Sequence, residues 1–233
     1  MGPWELRFKA WGYIVCAMPA DPGKSLSDYK ALAAGYDRRT RLTEAVRLEA
    51  VSALDLRPGD VVVDVACGTG FCFLPILERI GAAGRLLAFD SSPDLLAQAR
   101  ARAADRSNVS IFEAFGEKAD LKQSKPNAIL FSYAHDILQS EAALDNLLGQ
   151  AAPGARVAAC GSVLWPAWAW PLSFPVNAWL RVRHHGYITN MENFDRPWAK
   201  LAARLERFRV ARRGPGWRYL AAGFLRPVQR SAA

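Results

Sequence analysis

The passage that most constrains this chain is Val61-Val62-Val63-Asp64-Val65-Ala66-Cys67-Gly68-Thr69-Gly70. A β-branched run this apolar predicts a strand buried on both faces, as in the interior of a parallel sheet. Gly68 and Gly70 then let the backbone take dihedrals a side chain forbids and come close to a ligand. The apolar stretch Phe73 to Ile80 reads as a helix whose free N–H groups look back toward the loop. Strand, glycine loop and helix in this order make a crevice at the carboxyl end of a parallel sheet. A dinucleotide fingerprint would place a glycine first and no carboxylate at the strand end; Asp64 stands there instead, and it repels a pyrophosphate while suiting an ammonium group.

Strands and helices alternate through the rest of the first two thirds. Arg85 to Phe89 reads as a strand, Pro93 to Arg102 as a helix capped by Ser91 or Ser92, and Val109 to Glu113 and Ala128 to Ser132 as strands. A helix from Glu141 to Leu148 and a strand from Arg156 to Cys160 follow. Strict alternation predicts an α/β fold, a Rossmann-like, doubly wound and mostly parallel sheet of seven strands. Strands near Arg207 to Ala211 and Trp217 to Phe224, after a helix around Trp198 to Leu205, are expected to pair as an antiparallel edge. Before the first strand, apolar residues recurring at three and four positions (Leu32, Tyr36, Leu42, Val46, Leu48, Val51, Leu54) predict two helices broken near Gly35. The expected organisation is one domain over residues 1–233, with 1–54 an N-terminal helical lid and 162–196 an apolar, tryptophan-rich cap inserted after the fifth strand. From Ser162 to Leu180 no charged residue occurs, but Pro166, Pro171 and Pro175 would break a membrane-spanning helix.

Composition narrows the class without choosing a partner. With 51% hydrophobic and 22% charged residues the chain resembles an ordinary globular protein rather than a disordered one. A net charge of +8 suits a polyanion, yet no run of five like charges marks a binding tail, and an aromatic-basic strand motif is missing. Nucleic acid is disfavoured as a partner, and a peripheral membrane contact stays open. Cys16, Cys67, Cys72 and Cys160 form no CxxC pair, so no metal is expected. The apolar stretch Trp11 to Ala20 is short and follows Glu5, which reads against an export signal and for a cytoplasmic protein.

A second carboxylate, Asp90, ends the second strand, one helix after Asp64. There its oxygens can accept both hydroxyls of a ribose. Together these residues resemble motif I of the class I S-adenosylmethionine (SAM)-dependent methyltransferases, and Gly84 to Arg100 resembles the segment after it; the similarity runs from about Tyr29 to Gly161. It implies that Asp64, Gly68 and Gly70, with Ala66 and Cys67 between them, hold the methionine end of SAM, and that Asp90, with Ser91, holds the ribose. Ala66 replaces a glycine that many members carry. Where the family often has an acidic residue for the adenine amino group, this chain has Phe115-Gly116-Glu117, and the adenine is expected to stack on Phe115. Tyr29 and Tyr36 are candidates for lid aromatics over the cofactor.

At the end of the fourth strand, Ser132-Tyr133-Ala134-His135-Asp136 lies where an acceptor would meet the sulfonium. His135 is a candidate general base oriented by Asp136. Equally, the pair can cap the next helix. The segment lacks the Asn-Pro-Pro-Tyr type of motif that holds an exocyclic base nitrogen. Among quinone, lipid and natural-product methyltransferases, the nearest in kind, the acceptor is a small, largely apolar molecule. A second reading makes SAM the sole substrate, with release of methylthioadenosine by cyclisation to azetidine-2-carboxylate or by 3-amino-3-carboxypropyl transfer; Tyr133, Asp136, Tyr187 or Asn190 would then position the amino group. A third is a SAM- or RNA-binding module without turnover.

Overall fold

The computed structural model describes residues 41–165, 173–184 and 193–227. Helix α1 (Glu44–Ala53) leads into β1 (Val61–Val65), α2 (Phe73–Ile80), β2 (Arg85–Asp90), α3 (Pro93–Arg102), β3 (Val109–Glu113) and β4 (Ala128–Ser132). Short α4 (His135–Gln139) and α5 (Glu141–Gly149) precede β5 (Arg156–Ser162), α6 (Ser173–His184), α7 (Ala199–Ala202), β6 (Leu205–Arg213) and β7 (Arg218–Leu225). The seven strands form one sheet in the order β3-β2-β1-β4-β5-β7-β6. The first five are mutually parallel, while β7 runs antiparallel to both β5 and β6. The expected fold class is therefore the observed one.

Local chemistry explains most element ends. Ser92 caps α3 by accepting from the Leu95 N–H at 3.4 Å, with Pro93 at the first turn. Ser140 caps α5 in the same way through Ala143. The helix expected from Trp198 to Leu205 shrinks to α7, because Leu205 is already paired with Leu225 as the first residue of β6. A bulge follows at once, with Arg207 in the left-handed region at φ 48°.

Both faces of the sheet are covered. One face packs Val62, Leu86, Ala88, Leu130 and Ala158 against Val46, Ala50, Val51, Phe73 and Ile76 of α1 and α2. The opposite face packs Val63, Val65, Leu87, Phe89 and Ile129 against Leu138, Leu144 and Leu147 of α4 and α5. Each buried Leu, Ile or Phe contributes about 1.5–3 kcal/mol. The chain turns back from β3 to β4 across β1, so the β1/β4 boundary is the switch point beside which ligands bind in such sheets.

Candidate active site

Side chains alternate along a strand, so the pleat decides which residues meet. Val62 and Asp64 of β1 share the α1/α2 face with Leu86, Ala88 and Asp90 of β2, Leu130 and Ser132 of β4, and Ala158 and Cys160 of β5. Two carboxylates, a hydroxyl and a thiol thus line one face at the carboxyl ends of adjacent strands.

Asp64 is 1% exposed, and its Oδ1 is buried without a hydrogen-bond partner among the described residues. Burial pushes its carboxyl up to about 7; Arg47 opposes the rise and Asp90 adds to it. Asp90 is held differently. Its Oδ2 accepts from the Gly68 N–H and its Oδ1 from the Ser92 N–H, both at 2.9 Å. Burial raises its carboxyl too, against the amides of Ser92, Gly68 and Ser91.

The loop between them is tightly curled. Ala66, Gly68 and Gly70 all have positive φ, at 51°, 56° and 76°, so Ala66 takes a left-handed conformation that a glycine would hold with less strain. The two glycines serve different ends. Among the described residues a Cβ on Gly68 would meet nothing within 4 Å, whereas one on Gly70 would strike the Phe73 ring at 2.7 Å. Gly68 faces open space and Gly70 lets α2 close onto the loop. Cys67 ties the loop to β2 by donating its N–H to the Phe89 carbonyl at 2.9 Å.

Phe115 is 46% exposed on extended backbone beside the end of β2. Gly116 and Glu117 point elsewhere. A Cβ on Gly116 would lie 3.0 Å from that of Ala143, its carbonyl accepts from Asn146, and Glu117 accepts from the Ser140 hydroxyl at 2.6 Å. Both therefore also contact α5.

At the end of β4, Ser132 Oγ lies 3.9 Å from the Cys72 thiol and 3.8 Å from the Cys160 thiol. Tyr133 has φ 61°, a strained value for an aromatic residue, and its N–H donates to the Cys160 carbonyl at 2.8 Å. Burial raises its phenol well above the ordinary range, so it keeps its proton. His135 is buried with its ring edge-on to Phe194, centroids 4.8 Å apart, and Asp136 next to it is half-buried. The two open α4, whose Gln139 is held by Pro197 and Asn193. Above them Leu164 and Phe194 pack with Val176 and Trp217, and Asn177 clasps both the N–H and carbonyl of Trp165. Tyr29, Tyr36, Tyr187 and Asn190 lie outside the described residues.

Sequence reasoning missed Arg47. It lies on the stripe 47, 50, 51 and 54 by which α1 packs on the sheet, and it is only 6% exposed. Its Nε donates to Thr43 Oγ1 at 3.1 Å, and its guanidinium sits 4.9 Å from the Tyr133 ring centroid and 5.5 Å from that of Phe71. A charged residue at an otherwise apolar helix position was the available signal.

Residues 62–154 match the family model of a methyltransferase domain. Among curated proteins, the chain is 44% identical over 63 residues to ribosomal RNA small subunit methyltransferase H of Chromobacterium violaceum, covering 27% of this chain and 20% of that one. It is 28% identical over 78 residues to aklanonic acid methyltransferase DauC of Streptomyces sp. strain C5, covering 33% and 36%. The chain thus spans only a fifth to about a third of these relatives' lengths. Among solved structures, a Haloferax volcanii methyltransferase in complex with the Trm112 activator superposes with TM-score 0.65 at 14% identity, over 85% of this chain and 97% of that one. A SAM-dependent methyltransferase from Aquifex aeolicus gives 0.57 at 17% identity, over 84% and 98%. At such identities the likeness is one of fold. Fold and matched segment together resemble class I SAM-dependent methyltransferase domains, and SAM is the cofactor they support. In this chain the domain carries the two buried aspartates, the alanine-bearing loop and the buried arginine described above.

Proposed function

We propose that the protein transfers the methyl group of SAM to a small, largely apolar acceptor. The observation that carries this reading is Asp64: a buried carboxylate with one oxygen unpartnered, beside a glycine that opens onto empty space. An unsatisfied buried carboxylate is costly, and a cationic ligand removes that cost. SAM fits, because its methionine end carries an ammonium group. When bound it supplies an electrophilic methyl on a sulfonium.

In this reading Asp64 accepts the ammonium and Gly68 gives the methionine end room. Asp90, already fixed by two backbone amides, offers its remaining lone pairs to the ribose hydroxyls. Phe115 presents an exposed ring for the adenine. Displacement at a methyl group needs alignment and exclusion of water more than covalent help. Ser132 and Tyr133 position the acceptor, the Leu164, Phe194 and Trp217 cluster keeps water out, and His135 takes the acceptor's proton where it has one. Tyr133 keeps its phenol protonated and so donates rather than acts as base. The apolar cluster supports an apolar acceptor.

The test is to incubate the purified protein with SAM, alone and with panels of apolar phenols, quinols and RNA, and to analyse products by mass spectrometry. Adenosylhomocysteine formed only with an apolar small molecule is the expected result. Methylthioadenosine from SAM alone would replace methyl transfer with the cyclising or aminocarboxypropyl reaction, and turnover only with RNA would replace the acceptor class.

A further inference from the structure

We propose that the free edge of the sheet, β6 with the adjoining end of β7, is a docking surface for an anionic lipid bilayer. The residues that carry this inference lie outside the cofactor crevice.

The two edges of the sheet differ in charge. β3 at one edge reads Val109-Ser110-Ile111-Phe112-Glu113, with a single charge, and that acidic. β6 at the other reads Leu205-Glu206-Arg207-Phe208-Arg209-Val210-Ala211-Arg212-Arg213, with four arginines against one glutamate. Charge on an edge strand discourages pairing with another chain, and so does a bulge such as the one at Arg207, but either sign of charge serves that purpose. An edge of one sign also sets up a potential that attracts the opposite sign. Little of it is cancelled. Among the described residues Arg213 pairs with Glu49 and the charge of Asp195 reaches Arg212, whereas Arg207 and Arg209 have no ion-pair partner.

The register puts cations on both faces of this edge. Arg209 lies across from Ala222 and Arg213 across from Arg218 on the α1 side, while Arg212 lies across from Tyr219 on the α4/α5 side. Such a distribution suits a broad plane that meets the edge, rather than a nucleic-acid strand laid across one face of a sheet. Apolar side chains stand among the arginines: Val210 and Phe224 are exposed, and the Arg207 guanidinium sits over the Phe224 ring at 5.9 Å. A bilayer interface accommodates both kinds, with phosphates for the guanidinium groups and the acyl boundary for the apolar ones. A nucleic-acid backbone offers nothing to a valine.

The position of the edge fits the same partner. β5 and β6 each run antiparallel to β7, so the carboxyl end of β6 lies at the crevice end of the sheet. There Arg212 donates to the carbonyls of Leu164 and Gly216 at 2.8 and 2.7 Å, next to the apolar cluster of Leu164, Phe194 and Trp217. An apolar acceptor partitions into a bilayer, and docking through β6 brings the apolar flank of the crevice toward it. This last step rests on the apolar-acceptor reading; the charge and register of the edge do not.

Co-sedimentation of the purified full chain with vesicles, in the absence of SAM and acceptor, tests the proposal. Vesicles of phosphatidylcholine alone are compared with vesicles containing about one third phosphatidylglycerol, at about 0.1 M salt. Binding at least about tenfold tighter to the anionic vesicles is expected. Arg207→Gln combined with Arg209→Gln should weaken that binding about twentyfold, at roughly fivefold per arginine near an anionic surface, and Val210→Ser about threefold. Arg100→Gln combined with Arg106→Gln removes the same charge from exposed positions near the β3 edge and should change binding by less than about twofold. Thermal melts of each variant separate lost binding from lost folding. Equal loss in the two double variants would reduce the attraction to net charge and overturn the proposal. So would equal binding to both kinds of vesicle, or binding to polyuridylate RNA that depends on Arg207 and Arg209 with no binding to vesicles. Absence of methyl transfer to apolar acceptors would leave the vesicle result standing, so the two readings fail separately.

Discussion

Two buried carboxylates four residues apart, Asp60 just before β1 and Asp64 within it, sit at opposite ends of one strand in opposite surroundings. Asp60 is saturated. Its Oδ1 accepts from Asn127 at 2.8 Å, and its Oδ2 accepts from the Arg57 N–H at 2.7 Å and from Arg156 at 2.6 Å. Asn127 in turn accepts from the Val61 N–H. The network locks β1, β4 and β5 in register where they enter the sheet. At the other end Asp64 is equally buried, yet one of its oxygens has no partner and its carboxyl is raised to about 7. The comparison separates a carboxylate that the fold uses from one that the fold keeps for something else. Burial alone does not distinguish them; hydrogen-bond satisfaction does.

Breaking the saturated end should cost most. Asp60→Ala leaves Arg156 and Asn127 without their acceptor, and a denaturant titration is expected to show a loss of about 3–5 kcal/mol. At the other end the sign reverses. The raised carboxyl of Asp64 favours the protonated form in the folded state, so its contribution to stability is complete below about pH 4 and lost as pH rises through about 7. Asp64→Asn therefore should stabilise the ligand-free protein at pH 8 by about 2–4 kcal/mol, a gain that vanishes near pH 4, while SAM affinity falls. Destabilisation at pH 8 would remove the contrast between the two carboxylates.

Smaller effects sharpen the comparison. Asp90→Ala should weaken SAM binding by about 1–3 kcal/mol in calorimetry, and unchanged affinity would count against the ribose role. Since an ammonium needs an ionised Asp64, the wild-type Kd for SAM should rise toward about tenfold per pH unit below 7, with a flat profile in Asp64→Asn. Smallest of all, Ala66→Gly should relieve the left-handed strain and add about 0.5–1 kcal/mol without a large change in SAM affinity. A loss of stability there would mean that the Ala66 methyl contributes more packing than its φ of 51° costs.

Period and punctuation made much of the fold legible. The Val61–Val65 run, the serine before Pro93 and the alternation around Ala128 mark β1, α3 and β4 at the residues where the structure has them. Such signals are local: a cap or a pleat is written within a few neighbouring residues. Asp64, Gly68, Gly70 and Asp90 were legible for the same reason, because strand, loop and helix are adjacent in the chain. The bonds of Gly116 and Glu117 to Asn146 and Ser140 were not legible, since nothing nearby in sequence announces them. The short α7 was equally hidden, because its end depends on Leu205 pairing with a strand that comes later.

By itself, then, the sequence determined a parallel α/β sheet, the glycine loop and the two acidic strand ends, all of them patterns confined to short stretches of chain. Only the tertiary structure decided which buried charges are satisfied. Asp60 finds Asn127 and Arg156 across 67 and 96 residues, whereas Asp64 comes under the charge of Arg47 only because α1 packs back over the sheet. The physical reason is that the free energy of a buried charge depends on every group around it in space, and most of those groups are distant in the chain.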